Sequence, residues 1–274
     1  MLHTSGPTRI SRDNGGFIAN LNFPGWLVPL PRDHGHGALA MIAESLMVPG
    51  RIIEMHEHQN DEIISWVPDG VMRHDDRASG PLVIDAGHLL VMNAGRSFWH
   101  SERTLDTDPP LRMLQILVRP DTVDLEPGLQ FGPLPMPQAN EWRHVFGPEG
   151  GKGPFSVRNR IDCYDVRLDA GATAILPRPE GWDVYFYVFS GCVEVGGRRL
   201  ERAAQGLVTG RGDSGELRAI DPATIISFAI DPRAKRTRRG TVGDHHAIPK
   251  PWLAPVLKVL LALRPRRGNA SASR

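Results

Sequence analysis

The chain has 274 residues, a formal net charge of +1, 29 glycines, 24 prolines and 7% aromatic residues. This length can bury a substantial core and is sufficient for two domains. No apolar run reaches the roughly 18 residues that would span a bilayer, and the N-terminus Met1–Gly6 lacks the basic and apolar parts of a secretory signal, so we expect a cytoplasmic protein.

The N-terminal half has the composition of a strand-rich domain. Segments rich in β-branched and aromatic residues alternate with turn residues, which is typical of β-strands. The predicted strands are Gly16–Phe23, Ala38–Met47, Arg51–His58, Glu62–Val67, Gly70–Asp75, Leu82–Ile84, His88–Ala94, Ser97–Thr104 and Leu111–Val118. Pro68-Asp69-Gly70 is a turn signal, so strands 62–67 and 70–75 are predicted to form a hairpin.

A Pro- and Gly-rich segment then predicts a connection to a second domain. The further strands predicted beyond it are Tyr164–Leu168, Ala172–Leu176, Val184–Phe189, Cys192–Val195, Gly206–Thr209, Gly215–Ile220 and Thr224–Ala229. Val188–Val195 is predicted to be a hairpin that repeats the pattern of Ser65–Met72. We therefore expect a domain over residues 1–119, a connection over 120–154, a second domain over 155–232 and a tail over 233–274.

The tail differs from the body in charge. Residues 233–274 contain eleven Lys and Arg residues against one acid, Asp244, so residues 1–232 are net acidic. Trp252–Arg264 has apolar residues at helical spacing and predicts a short amphipathic helix. Three roles stay open for the tail: docking on the acidic body, which we favour, contact with an anionic membrane, and non-specific contact with nucleic acid.

Two short sequence patterns contain side chains that can bind a metal ion. The first is Gly50-x5-His56-x-His58-x3-Glu62, and the second is Gly87-x5-Asn93-Ala94-Gly95-x4-His100-x-Glu102. Side chains at i and i+2 of a strand lie on the same face, so two such strands could bring His56, His58, His100 and Glu102 together. Three imidazoles and a carboxylate suit a first-row divalent transition metal. The corresponding part of the second half lacks histidine, so we expect no metal there.

The two patterns resemble the cupin motifs of the pirin family. The spacing between Glu62 and Gly70 is the same as in the family's first motif, and Gly87–Glu102 has the spacing of its second motif. The resemblance implies an all-β bicupin of two cupin-type barrels, with the metal held by His56, His58, His100 and Glu102. The residue between the first two ligands is usually Pro in the family and is Glu57 here.

The resemblance to pirin-like quercetinases also implies an activity. It predicts a dioxygenase that uses O2 on a flavonol-like or other chelating oxygen substrate, with Glu102 as the catalytic proton acceptor. Fe(II) is the favoured metal, and Ni, Cu, Mn and Co are alternatives. A second hypothesis is a non-catalytic, redox-sensing metal protein that binds a protein partner. We expect a monomer and no specific nucleic-acid partner.

Other polar residues have less specific patterns. His34 and His36 lie among glycines and are predicted to be solvent-exposed loop residues. His74-Asp75-Asp76 ends a predicted strand, which favours a turn-capping or surface role. Glu62 has two open interpretations: a partner for a strand-end amide or an arginine, or an acceptor that orients a ligand imidazole. Phe98, Trp99 and Met92 are candidates for the lining of a substrate pocket, although Trp99 should face away from the ligands.

Overall fold

The computed structural model describes residues 1–8, 10–210 and 215–243. Among these residues there are twenty strands and one short 3-10 helix, Pro24–Leu27. The strands are β1 Leu2–Ser5, β2 Ser11–Asp13, β3 Phe17–Asn22, β4 Leu39–Met47, β5 Ile52–His58, β6 Glu62–Asp69, β7 Met72–Asp76, β8 Leu82–Ile84, β9 His88–Asn93, β10 Phe98–Arg103, β11 Leu111–Val118, β12 Gly128–Pro133, β13 Arg143–Pro148, β14 Ser156–Val157, β15 Ile161–Leu168, β16 Thr173–Ile175, β17 Asp183–Val195, β18 Arg198–Glu201, β19 Gln205–Val208 and β20 Glu216–Ile230. The all-β prediction is confirmed.

The strands form three sheets. A four-stranded sheet has the order β5-β10-β7-β8, and a seven-stranded sheet has the order β12-β9-β6-β11-β4-β3-β2. The remaining strands, including β1 from the N-terminus, form a nine-stranded sheet around the long strands β17 and β20. The hydrogen-bonded orders end in edge strands, so the architecture is an open β-sandwich rather than closed barrels. No helix in the described part of the chain is long and apolar enough to cross a membrane.

The seven-stranded sheet is buried on both faces, because alternate residues of its strands enter different cores. In β6, Ile63 packs in the core shared with the four-stranded sheet, whereas Ile64 packs in the core shared with the nine-stranded sheet. Leu90 and Val91 of β9 divide in the same way. The third core lies within the nine-stranded sheet. The seven-stranded sheet is therefore the central layer of the molecule.

Both predicted hairpins are wrong. β6 pairs with β9 and β11, whereas β7 pairs with β8 and β10 in the other sheet. Gly70, with φ of 90°, allows the chain to cross between sheets. Val188–Val195 is part of the single strand β17, which shifts register near Gly191 and pairs with β20 on both sides of it. A Cβ at Gly191 would overlap the carbonyl oxygen of Pro222.

Buried polar contacts join the N-terminal and C-terminal sheets. The Trp66 indole N–H donates to Asp165 Oδ2 at 3.0 Å, and Asp165 is held within its own sheet by Arg143, whose Nε donates to Asp165 Oδ1 at 2.8 Å. Tyr187 donates its hydroxyl to Glu44 Oε2 at 2.8 Å. Each carboxylate is almost inaccessible to solvent, so these bonds offset the cost of burying its charge. They also fix the relative position of the two halves.

The Pro- and Gly-rich segment contains two strands that composition did not predict. β12 pairs with β9, and β13 pairs with β15. The proposed domain boundaries stay a prediction. Residues 233–243 of the tail lie against the N-terminal half, with the Thr237 N–H donating to the Pro120 carbonyl at 2.8 Å. The predicted helix Trp252–Arg264 lies outside the described residues.

Trp66→Phe should destabilise the junction between the two halves. The substitution removes the donor to the buried Asp165 and leaves space beside it, which we expect to cost about 1–3 kcal/mol of unfolding free energy. Urea denaturation would measure the loss. Trp142→Phe is the control, because it removes the same indole donor from a more exposed bond to the Ile175 carbonyl. Equal losses in the two variants would contradict a buried junction.

Candidate metal centre

The register of the four-stranded sheet brings the predicted ligands together. β10 lies between β5 and β7, and His100 is directly opposite His56 on β5. His58 is two residues farther along β5 and is opposite Phe98. A β-bulge between His100 and Glu102 shifts the register, so Glu102 is opposite Ile53. The sheet therefore places the imidazoles on one face of adjacent strands.

The three histidines form a compact cluster. His56, His58 and His100 each offer a ring nitrogen, and these atoms lie within 4.8 Å of one another. The ring centroids are separated by 4.9 Å for His56 and His58, 4.4 Å for His56 and His100, and 5.2 Å for His58 and His100. His100 is fully buried, His58 is nearly so, and His56 is partly exposed. The cluster can therefore be approached past His56.

The ring nitrogens fit a metal ion. Both nitrogens of His100 are buried and have no hydrogen-bond partner among the described residues, which is costly unless a ligand satisfies them. His56 Nδ1 lies 2.8 Å from the Glu54 carbonyl oxygen. Because a carbonyl only accepts, Nδ1 carries the proton and Nε2 is left with a free lone pair.

Burial keeps the imidazoles of His56 and His100 neutral, which is the form that binds metal. Burial, together with the charges of His56, His58 and His74, lowers the pKa of His100 to about 2. Burial also lowers the pKa of His56, and its hydrogen bond to Glu54 opposes this shift only in part. At neutral pH both rings are therefore available as ligands.

Glu102 lies beside the cluster but outside the group of three. Its Oε1 is 3.9 Å from His100 Nδ1, and Gln115 Nε2 donates to the same oxygen at 3.1 Å. Burial raises the pKa of Glu102 to about 7, against the opposing effects of His58 and Gln115. Gln115 was not predicted from the sequence, because its link to Glu102 depends on where β11 lies.

His74 is a further histidine of the site, and the predicted surface role is wrong. It is fully buried, and its ring stacks on His100 with centroids 5.3 Å apart. His74 Nε2 lies 3.0 Å from Asp76 Oδ2. β7 places His74 opposite Glu102 and Asp76 opposite His100. The i, i+2 spacing of His74 and Asp76 was the available sequence signal for this pair.

Glu62 does not orient a ligand imidazole. Its carboxylate is fully buried and accepts hydrogen bonds from Arg158 Nε at 2.8 Å, the Arg158 N–H at 3.0 Å and Asn93 Nδ2 at 2.5 Å. Burial raises its pKa, and the Arg158 charge opposes that effect. Of the two open interpretations, the structure supports an arginine and strand-end partner. Glu62 therefore joins the halves of the molecule.

The prediction that His34 and His36 are solvent-exposed is wrong for His34. His34 is 3% exposed and lies 3.3 Å from Arg119 Nη2. His36 is partly exposed, and its Nε2 lies 2.8 Å from Asp183 Oδ2 in the C-terminal half. The loop containing these histidines is folded between the two halves, which the glycine-rich composition did not reveal.

A cavity of about 280 Å³ adjoins the cluster. Its lining includes Phe98, Trp99, Leu129 and Asp76, and none of the three histidines belongs to it. Asp76 connects the cavity to His74 and hence to His100. Trp99 is partly exposed and Met92 is fully buried in the core. Of the predicted pocket residues, Phe98 and Trp99 therefore line a cavity, and Met92 does not.

The all-β sandwich of this chain, with its histidine cluster on adjacent strands of one sheet, is a cupin-type fold. Solved structures support this fold. The bacterial pirin YhhW from Escherichia coli, in complex with nickel(II), superposes with a TM-score of 0.72 at 19% identity, over 84% of this chain and 99% of that one.

The sequence comparisons show similarity to pirins. The Pirin family model matches residues 32–118, which contain His56, His58, His100 and Glu102. Pseudomonas aeruginosa PA1210, provisionally named a quercetin 2,3-dioxygenase, is 28% identical over 204 residues, 73% of this chain and 86% of the relative. The quercetin 2,3-dioxygenase of Escherichia coli K12 is 22% identical over 202 residues, 74% and 86% of the two chains. Residues 32–118 of the chain are thus similar to the pirin family, in agreement with the resemblance of the two motifs.

His100→Ala should remove the central nitrogen of the cluster. We expect Ni(II) or Fe(II) affinity to fall by more than the roughly 10- to 100-fold that losing an orienting partner costs. Isothermal titration and elemental analysis would measure the affinity and the metal content. His144→Ala is the matched control, because His144 pairs with Asp162 outside the cluster. Unchanged binding in the His100 variant would exclude this cluster as the metal centre.

Proposed function

We propose that this chain is a metal-dependent dioxygenase of the pirin and quercetinase type. It would hold one divalent transition metal, with Fe(II) favoured, through His56, His58, His100 and Glu102. The observation that carries the proposal is the cluster of three buried or half-buried imidazole nitrogens within 4.8 Å of one another. The names of the relatives and the nickel(II) in the bacterial pirin support the same assignment.

The proposed substrate is a flavonol-like or other chelating oxygen compound, which reacts with O2. Three or four protein ligands leave coordination positions free on a five- or six-coordinate ion. When bound, the metal supplies Lewis acidity that lowers the pKa of a substrate hydroxyl group. The partial exposure of His56 leaves one side of the cluster open for such a substrate.

Glu102 is the proposed proton acceptor. It is 4% exposed, and its Oε1 lies 3.9 Å from His100 Nδ1, so it lies close to a substrate bound beside His100. Gln115 holds Oε1 by a hydrogen bond, so the other carboxylate oxygen is the proposed acceptor atom. A carboxylate whose pKa lies near the working pH can both accept and release a proton.

The surrounding side chains would hold an aromatic substrate and limit water. Phe98 and Trp99 present apolar surface to the cavity beside the cluster, and Arg77 lies 4.9 Å from the Trp99 ring centroid. Concave apolar surface with a few polar groups is typical of small-molecule sites. A volume of about 280 Å³ is near the lower limit for such sites.

A regulatory metal site is the second candidate function. An enzyme needs a pocket that opens on the metal, whereas a sensor can keep its metal enclosed. The cavity beside the cluster is not lined by His56, His58 or His100, and this observation favours the second candidate. In that case the redox state of the metal would change the surface that meets a protein partner.

Aerobic turnover of quercetin separates the two candidates. We expect metal-loaded wild-type protein to consume quercetin and O2 and to release carbon monoxide, and His56→Ala to lose at least about 100-fold in kcat/KM, because a metal ligand is missing. His88→Ala is the matched control, since His88 pairs with Asp85 away from the cluster. If metal-loaded wild-type protein leaves a panel of flavonols and other enediol-like compounds unchanged, the regulatory candidate replaces the enzyme.

A further inference from the structure

A segment from the far end of the chain packs beside the metal centre. Residues 240–243, here called the C-terminal strap, contact the loop of residues 59–61 that directly follows His58. The Thr241 N–H donates to the Gln59 carbonyl at 2.9 Å, and the Gln59 N–H donates to Thr241 Oγ1 at 2.7 Å. The two segments are therefore joined by a reciprocal pair of hydrogen bonds across 182 residues of sequence.

A buried arginine holds the end of the strap. Arg119 Nε donates to the Gly243 carbonyl at 2.9 Å, and its two terminal nitrogens donate to the Asp33 carboxylate at 2.7 Å each. The Arg119 side chain is fully buried. Because a bidentate arginine–carboxylate pair is rigid, the position of Gly243 is fixed relative to the N-terminal half.

Asp61 lies between the strap and His58. It is 1% exposed, and its side chain accepts the Val242 N–H at Oδ2, 3.0 Å away, and the Gly243 N–H at Oδ1, 2.9 Å away. Oδ2 is also 3.6 Å from His58 Nδ1. That nitrogen is buried and has no hydrogen-bond partner among the described residues.

We propose that Asp61, held by the C-terminal strap, is a positioning residue that orients His58 for metal binding. This inference rests on the proposed metal centre. A carboxylate facing Nδ1 favours the tautomer with its proton on Nδ1, so the lone pair lies on Nε2. The 3.6 Å separation is longer than a hydrogen bond, and the two atoms would have to approach each other by about 0.5 Å to form one.

The strap makes this role dependent on the chain's own C-terminal region. Asp61 has two carboxylate oxygens, and each is already placed by one backbone N–H of the strap. Without these donors the buried carboxylate would lose most of its hydrogen bonds and would turn toward solvent. His58 would then lose its nearest acceptor. The geometry thus connects metal affinity to residues 240–243.

Asp61→Asn tests the acceptor in the full-length protein. An amide has one acceptor oxygen, so it cannot serve both strap N–H groups and the His58 Nδ1–H. We expect the dissociation constant for Co(II) to rise roughly 10- to 100-fold and the visible Co(II) absorption bands to change, because His58 is less ordered. A variant that unfolds more readily but binds Co(II) with wild-type affinity and spectrum would overturn the proposal.

Gly240→Ala tests the packing of the strap against Asp61 while Asp61 itself is not substituted. A Cβ at Gly240 would overlap Asp61 Oδ1 and would lie 2.9 Å from the Asn60 carbonyl oxygen, so the strap and the Asp61 carboxylate must move apart. We expect weaker Co(II) binding in this variant too. Gly6→Ala is the matched control, because nothing lies within 4 Å of the added Cβ there. Wild-type Co(II) affinity in Gly240→Ala would show that the strap does not act on the metal centre.

A second control separates positioning from general stability. Trp66→Phe removes a buried hydrogen bond to Asp165 in the core that faces the C-terminal half, and should lower thermal stability without changing Co(II) affinity. If wild-type protein binds no Co(II), Ni(II) or Fe(II), the proposed function fails with this inference. If wild-type protein binds metal and both variants bind it equally well, this inference alone is overturned.

Discussion

The placement of β10 between β5 and β7 is the constraint on which the candidate site depends. Backbone hydrogen bonds of the four-stranded sheet set His100 opposite His56 on one side and opposite Asp76 on the other. A slip of one residue would turn every side chain of β10 to the other face. The bulge after His100 shifts the pairing with β5, so that Glu102 lies opposite Ile53, whereas the unshifted pairing with β7 places Glu102 opposite His74. Backbone pairing, rather than contact among the side chains, therefore assembles the cluster.

The burial that this sheet provides determines the chemistry of the cluster. A buried imidazole resists protonation, and a buried carboxylate resists ionisation, because both charged forms lose hydration. The pKa of His100 accordingly falls and the pKa of Glu102 rises. The same environment makes unpaired ring nitrogens costly, which a divalent ion would relieve. The same burial therefore destabilises the metal-free cluster and would favour the binding of a divalent ion.

Contacts between segments that are distant in the sequence hold the site in position. One face of the central seven-stranded sheet packs against the four-stranded sheet that carries the histidine cluster, and the other face packs against the C-terminal half. Glu62, which belongs to the first motif, pairs with Arg158 of the C-terminal half. Asp61, its neighbour, pairs with the strap at residues 240–243. The loop that follows His58 is consequently held from two directions by segments that lie far away in the sequence.

The sequence by itself determined the strand content and the grouping of the three histidines. Period-2 spacing of His56 and His58, and the glycines before each motif, are local features, so nine N-terminal strands and the cluster could be predicted. Only the tertiary structure decided which strands pair. Gly70 and Gly191 both carry positive φ, yet one lies between sheets and the other bends a continuous strand. The roles of His74, Gln115 and Asp61 also required the fold, because their partners lie on other strands or near the C-terminus. The local sequence determines which residues share a face of a strand, but long-range packing determines which strands pair with one another.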